Sequence, residues 1–351
     1  QRYSLKRTVG KVAGLGGMGI LGVLIGGVAL VPIADTFLES ARAGVLAAKG
    51  TSHLLSPYKG KTLGTIVARF FSNHMLGIDK DYTGYLNYYE GMILAVSILT
   101  VFAVSYFIVK KSTRVKALVL TVFLVFLTIM PLTSRILVFT KHSYRWTFMI
   151  CFMEALVIGC FLQDVFREKN RKTVLAGSIL AIVICGGLLA WMYSFKNIKP
   201  DHKVTAGVIG FLAVYLILFA VGTSVKKMYR IFPAAVLLVL ICELFVLDYP
   251  SLWHRESPTR NQVATEYYND GTKEAVAMLK EQDDSVYRIE KSYTSASEND
   301  GMSQGYNGLS VYMSTNPASL VAYHKMYGPE TLSGNFVDFN MDDYIRSSLL
   351  G

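Results

Sequence analysis

The chain has 351 residues, is 52% hydrophobic with a mean hydropathy of +0.38, and carries a formal charge of +10. That composition excludes an ordinary soluble domain. Residues 1–248 hold 27 Lys/Arg against 11 Asp/Glu, whereas residues 249–351 hold 8 against 14, so the basic excess sets membrane orientation and is not a nucleic-acid-binding surface.

Seven apolar runs follow in order, at about 12–33, 90–109, 117–133, 146–163, 173–194, 204–225 and 231–248. Each is long enough for a helix to cross a hydrocarbon core of roughly 30 Å. The N-terminal arm (Arg2, Lys6, Arg7, Lys11) and the short connections at 110–114, 167–172 and 226–230 are basic and fall on one side by alternation. The positive-inside rule makes that side cytoplasmic. The loop 34–89 and the region 249–351 then lie together outside. The expected fold is an α-helical polytopic membrane protein of about seven spans, with interfacial helices in an outer loop and a small extracellular α/β tail. The expected domains are a bundle over 1–248 and a mixed region over 249–351.

The first run is glycine-rich, with Gly10/Gly14 and Gly22/Gly26 as GxxxG pairs. Such pairs let helix backbones approach closely, within one bundle or across a dimer. Pro32 is expected to stop this span ahead of Asp35, Glu39 and Arg42. In the following loop, Leu63, Ile66, Val67, Phe70 and Phe71 recur at helical spacing, with Thr62, Thr65, Arg69 and Ser72 opposite. That pattern predicts an amphipathic helix in the membrane interface. Phe37, Ala41, Val45 and Ala48 mark a weaker one. The pair either caps the bundle or frames a lateral entrance for a lipid-linked molecule.

The connection 134–145 gathers Arg135, Lys141, His142, Ser143, Tyr144 and Arg145 ahead of Trp146. Arginine offers a fork for phosphate, and the aromatics offer a flat face for a sugar; interfacial anchoring is the competing role. Glu154 and Glu243 lie within spans, where a carboxyl is costly and takes a partner, structural or functional. The four cysteines form no CxxC pattern, and no disulfide framework or metal site is expected.

In the tail, Thr272–Gln282 reads as a helix and Val286–Glu290 as a strand. Asn316 as N-cap and Pro317 at the first position open a second helix, about Pro317–Tyr327. Gly305-Tyr306-Asn307-Gly308 is a turn presenting Tyr306 and Asn307, suited to hydroxyl recognition or simply to turning the chain.

Several of these segments carry a resemblance: Asn87-Tyr88-Tyr89-Glu90-Gly91, Ser143-Tyr144-Arg145-Trp146-Thr147-Phe148, Tyr287-Arg288-Ile289-Glu290, Gly305 to Ser310, and Pro32 with Ser40 and Arg42. In order and spacing, from about Leu30 to Gly351, the chain resembles the YfhO family of bacterial multi-spanning membrane proteins. The Ser-Tyr and Arg-Trp elements, a few residues apart in the family, are contiguous here. The resemblance implies a GT-C-type glycosyltransferase of the bacterial plasma membrane. It would move a sugar from a polyprenyl-phosphate carrier to a cell-envelope polymer such as teichoic acid on the outer face. It also implies further spans upstream, including the loop that carries the catalytic base, so this piece alone is expected to be inactive. Asp35 and Glu39 are the fallback catalytic candidates; their other role is to cap a following helix near its N-terminus. The candidate substrate-binding residues are Arg42, Arg135, His142, Tyr144, Arg145, Trp146, Tyr306 and Asn307. No cofactor is identifiable, and a divalent-metal requirement is open. The expected partners are the lipid bilayer, the lipid-linked sugar and the polymer acceptor. The competing class is a transporter or lipid flippase using Glu154 and Glu243.

Overall fold

The structure is a computed structural model that describes residues 5–40, 55–85, 96–138, 144–168, 170–225, 231–250, 257–295, 299–308, 310–313, 315–327 and 336–337. It divides into two compact units, one of residues 1–50 with 257–351 and one of residues 51–256.

In the second unit, helices follow the apolar runs. They are α2 (Gly60–Arg69), α3 (Leu99–Val109), α4 (Arg114–Ile129), α5 (Pro131–Val138), α6 (Phe148–Glu168), α7 (Arg171–Ser194), α8 (His202–Gly222) and α9 (Phe232–Asp248). Helix starts obey local chemistry. Asn170 accepts the Thr173 N–H, and Asp201 accepts those of Lys203 and Val204, each satisfying orphan donors of the first turn.

The core of this unit forms around α3. Phe102 packs against Tyr215 and Phe219 of α8, and Tyr106 packs against Phe161 of α6. Such pairs contribute ~0.5–1.5 kcal/mol each beyond their burial. Glycines allow the closest approaches. A Cβ at Gly177 would meet the Tyr106 Cα at 2.8 Å, and one at Gly222 would meet Phe232 at 2.3 Å. Small residues at helix crossings are the packing currency of bundles in lipid, where no hydrophobic drive pulls helices together.

Four helical segments are long and apolar enough to cross a membrane: 9–38, 145–167, 171–194 and 202–222. A fifth crossing is counted if α4 and α5 form one broken span, bent by 79° at Met130-Pro131. The ring of Pro131 removes a backbone donor, which explains the break. α3 and α9 are apolar but shorter, at 99–109 and 232–247. The structure thus supports four or five crossings by length. The outer half of the run at 90–109 lies mostly outside the described residues.

Three expectations are corrected in the membrane region. Pro32 does not end the first span, because α1 runs unbroken over Leu5–Leu38. Asp35 therefore lies in the last turn of α1 and Glu39 directly after it; the weaker helix expected next falls mostly outside the described residues. The glycine pairs do not close a helix crossing within their own unit. No atom there lies within 4 Å of a Cβ at Gly10, Gly14 or Gly22, and at Gly26 only Leu30 of the same helix does. Third, α2 does not lie with a polar face toward water. Thr65, Arg69 and Ser72 are as buried as Ile66, Val67 and Phe71. Gly64 seats this helix against Phe195 and Ile198, where a Cβ would come within 2.9 Å of the Phe195 ring. Two of its polar side chains are absorbed by internal bonds. The Thr65 hydroxyl donates to Lys61 O and accepts the Tyr85 N–H, and Ser72 donates to Leu247 O at 2.6 Å. Periodicity registered the two faces but not a second layer of protein over the polar one.

The first unit joins α1 to the tail helices α10 (Arg260–Thr265), α11 (Thr272–Gln282), α12 (Asp300–Gln304) and α13 (Ala318–Tyr327). The Ala318 N–H donates to Glu39 O at 3.1 Å, and Ser40 bridges Pro317, so α13 starts against the end of α1. α11 has the expected bounds. The strand expected at Val286–Glu290 does not form: Val286 is 98% exposed, and the segment is tied across by single bonds, from the Ile289 N–H to Asn307 O and from the Ser310 N–H to the Glu290 carboxylate. With one face bare, alternation there has no core to serve. The tail's strands are instead the two-residue β1 (Val311–Tyr312) and β2 (Phe336–Val337), paired antiparallel. The tail is mainly helical among the described residues.

Candidate functional site

The connection before α6 is built from the bend of α4 upward. Breaking the helix at Met130 frees carbonyls of its last turn, and two are taken up at once. The Tyr58 N–H donates to Ile129 O, and the Tyr144 hydroxyl donates to Thr128 O, both at 3.0 Å. The Trp146 indole N–H donates to the Ser134 hydroxyl at 3.3 Å, and Thr147 donates to Tyr144 O at 2.7 Å. Tyr144 and Trp146 are 1% and 3% exposed and cluster with Tyr58, Ile66 and Ile150.

Their rings are packed, with polar atoms committed to protein partners, so neither offers an open face to a ligand here. Arg145, between them on the 3₁₀ turn Arg145–Thr147, is exposed. Alternation of two anchored aromatics with one outward arginine fixes where that cation sits. Arg135 is half-buried on α5, in the adjoining segment. Arg42, Lys141, His142 and Ser143 lie outside the described residues. Asp35 and Glu39 are exposed.

A second polar centre lies inside the helical unit and joins both intramembrane carboxylates to one break. Glu243 of α9 accepts from the Ser97 hydroxyl at 2.6 Å, the Ile98 N–H at 2.7 Å and the Tyr215 hydroxyl at 2.7 Å. Glu154 of α6 accepts the Val96 N–H at 3.0 Å. Ser97 also accepts the Leu99 N–H. Two neighbouring helices thus donate carboxylates to cap α3, whose first N–H groups would otherwise be orphaned in an apolar interior. Glu154 and Glu243 are 4% and 2% exposed. The pairing was foreseeable only in kind. Sequence marks a buried carboxyl as needing a partner but says nothing of which helix end receives it.

The tail carries a third centre, which no local motif announced. The Lys291 ammonium donates to Asp300 at 3.0 Å, to Gln304 at 2.9 Å and to Ser295, and lies 4.6 Å from the Tyr293 ring centre. Ser295 donates in turn to Asp270. Burial of Asp270 would raise its pKa, but hydrogen bonds from Ser295 and Thr272, with Lys291 nearby, outweigh it and hold the carboxyl at about 2.

Beside this network, Tyr306 and Asn307 line a cleft of about 280 Å³ with Lys280, Asp283, Asp284 and Tyr287. The glycines of the turn have separate reasons. Gly305 adopts φ +79°, the left-handed region that glycine enters without strain. A Cβ at Gly308 would press on the Tyr306 ring at 3.2 Å. Among the described residues no group of three or more His, Cys, Asp or Glu could hold a metal ion.

The family model described as "Bacterial membrane protein YfhO" matches residues 3–345. No curated protein matches the chain, and no solved structure does.

Proposed function

Because the chain belongs to the YfhO family of bacterial membrane proteins, we propose that it acts in a GT-C-type membrane glycosyltransferase. The substrate would be a sugar on a polyprenyl-phosphate carrier, and the acceptor a cell-envelope polymer such as teichoic acid. In this reading the chain crosses the plasma membrane seven times. The loop 34–89 and the region from 249 onward face outward, and the N-terminal arm and the basic connections face the cytoplasm. The contact of α13 with the end of α1 supports placing the tail on the face where the first span ends.

The observation that carries the site assignment is Arg145, exposed between two buried aromatic anchors. A guanidinium fixed at one end of the bundle can meet a lipid phosphate with two parallel hydrogen bonds, and fixed donors stabilise charge developing on the leaving phosphate. Arg135 of α5 would supply a second cation; Arg42 and His142, outside the described residues, remain candidates from the sequence alone. Tyr144 and Trp146 serve this role by anchoring the turn. Asp35 and Glu39, exposed at the end of α1, remain the acidic candidates for the base.

The alternative, a flippase using Glu154 and Glu243 as coupling groups, is disfavoured by their partners. Glu243 already accepts three hydrogen bonds and Glu154 caps α3, so both have structural work.

The test is sugar transfer from a polyprenyl-phosphate donor by the full-length protein. Arg145→Lys should impair transfer more than Lys141→Ala, because a point charge does not replace a fork. A well-expressed Arg145→Lys protein with normal transfer would reduce Arg145 to a topological anchor.

A further inference from the structure

We infer that the tail cleft between the end of α11 and the turn at Tyr306 is a binding site for a single uncharged sugar ring, and that it rejects phosphate. The inference deepens the transferase reading by naming a glycan-side ligand. It is read by binding alone, so its failure would leave donor transfer untouched.

Four observations support it. First, the cleft volume of about 280 Å³ sits at the lower end of small-molecule sites, which suits one hexose rather than a polymer segment. Second, the aromatic wall is preorganised. The Tyr306 ring is held over Gly301 and Gly308, where a Cβ would lie 3.3 Å and 3.2 Å from its edge, and the Lys291 ammonium lies 6.0 Å from its centre. A ring fixed before binding loses little entropy when the apolar face of a pyranose packs on it.

Third, the polar wall is rich in unspent groups. Among the described residues no hydrogen bond engages the side chains of Asp284 or Asn307. The Tyr287 hydroxyl is buried without a hydrogen-bond partner. A buried hydroxyl left unpaired is costly, and Tyr287 is one of the residues lining the cleft. Fourth, the charge is wrong for an anion. Asp283 and Asp284 face one lysine, and Lys280 already donates to Gly305 O at 2.7 Å. Hydrogen bonds from Ser285 hold Asp283 below the usual carboxylate range, so it stays ionised at neutral pH. Carboxylates accept from sugar hydroxyls but repel phosphate. Tyr306 is pushed up to about 12 by burial and then by Glu290 and Asp300, so its hydroxyl keeps its proton.

The experiment is saturation-transfer NMR on the full chain in a detergent without a sugar headgroup. The probes are methyl glucopyranoside, N-acetylglucosamine, glucosamine and glycerol 3-phosphate. Transfer to the neutral probes is expected, with none to glycerol phosphate. Asn307→Ala and Asp284→Asn, whose side chains make no hydrogen bond among the described residues, should weaken binding roughly 3- to 10-fold. Tyr306→Phe should retain most of it and Tyr306→Ala should lose it. No transfer to any neutral sugar overturns the proposal, as does glycerol phosphate binding as well as the hexoside. Unchanged binding in both Asn307→Ala and Asp284→Asn overturns it too. Preference for glucosamine over both neutral sugars would replace it with a cation site.

Discussion

Replacing Glu243 with alanine tests whether the bundle is built around the capped start of α3. The substitution removes the acceptor for three donors at once: the Ser97 hydroxyl, the Ile98 N–H and the Tyr215 hydroxyl. All three lie in an interior where Ser97 is 1% exposed, Ile98 1% and Tyr215 0%, so water does not reach them. A buried donor left unsatisfied costs ~1–3 kcal/mol in a soluble protein, whereas interhelical hydrogen bonds in lipid average about 0.6 kcal/mol. Three donors therefore place the loss at about 2–6 kcal/mol. Glu243→Gln keeps one carbonyl oxygen and should cost less than half as much. Glu154→Gln breaks nothing that its own carbonyl cannot still accept from Val96, and should be nearly silent. The assay is thermal unfolding of the purified protein in detergent, with the double variant Glu243→Ala/Tyr215→Phe to separate the hydroxyl's share. If Glu243→Ala unfolds within about 0.5 kcal/mol of the parent, the carboxylate is not what holds α3 and the capping argument fails.

Three further outcomes follow from the packing, the tail and the topology. Gly222→Leu should lower the unfolding temperature strongly, because even a Cβ there would lie 2.3 Å from Phe232; Gly186→Ala, with open space around it, is the matched control and should change little. The pKa of Asp270 is held at about 2 against an ordinary 3.8, so it stabilises the folded tail above the unfolded value. That contribution fades as pH falls from about 4 to 2, and is ~1 kcal/mol because the group is partly exposed; limited proteolysis of the tail across that range should rise with acidity, and less so in Asp270→Asn. Cysteines at Val286 and Leu55, which are 98% and 68% exposed, should react with an impermeant maleimide on intact cells when the native cysteines are removed, and a cysteine at Ser112 should not; labelling only at Ser112 reverses the proposed orientation.

What sequence could reveal here followed from how local the governing physics is. The apolar runs are short-range features, and helices appear where they point, two of them capped by Asn170 and Asp201. α11 was legible to the residue because its pattern, left-handed Gly271 and following turn agree. Failures came where a distant partner decides. Pro32 does not break α1, because a proline disrupts a helix only as far as its neighbours cannot absorb it. Thr65 and Ser72 looked solvent-facing until Tyr85 and Leu247 supplied their partners. Tyr144 and Trp146 looked like a sugar platform because sequence shows a ring but not which face is covered.

The same distinction ranks the candidate residues. A side chain whose polar atoms are already spent on the fold has little left for a substrate, whatever its chemistry suggests. Tyr144, Trp146 and Glu243 belong to that class: their donors and acceptors close a helix bend or a helix start, and removing them should damage stability before activity. Asp284, Asn307 and the Tyr287 hydroxyl belong to the other, since the fold asks nothing of them among the described residues. Arg145 stands between, placed by the buried rings on either side of it and exposed itself. Function in this chain is therefore to be sought at the exposed arginine of the turn before α6 and in the tyrosine-lined cleft of the tail.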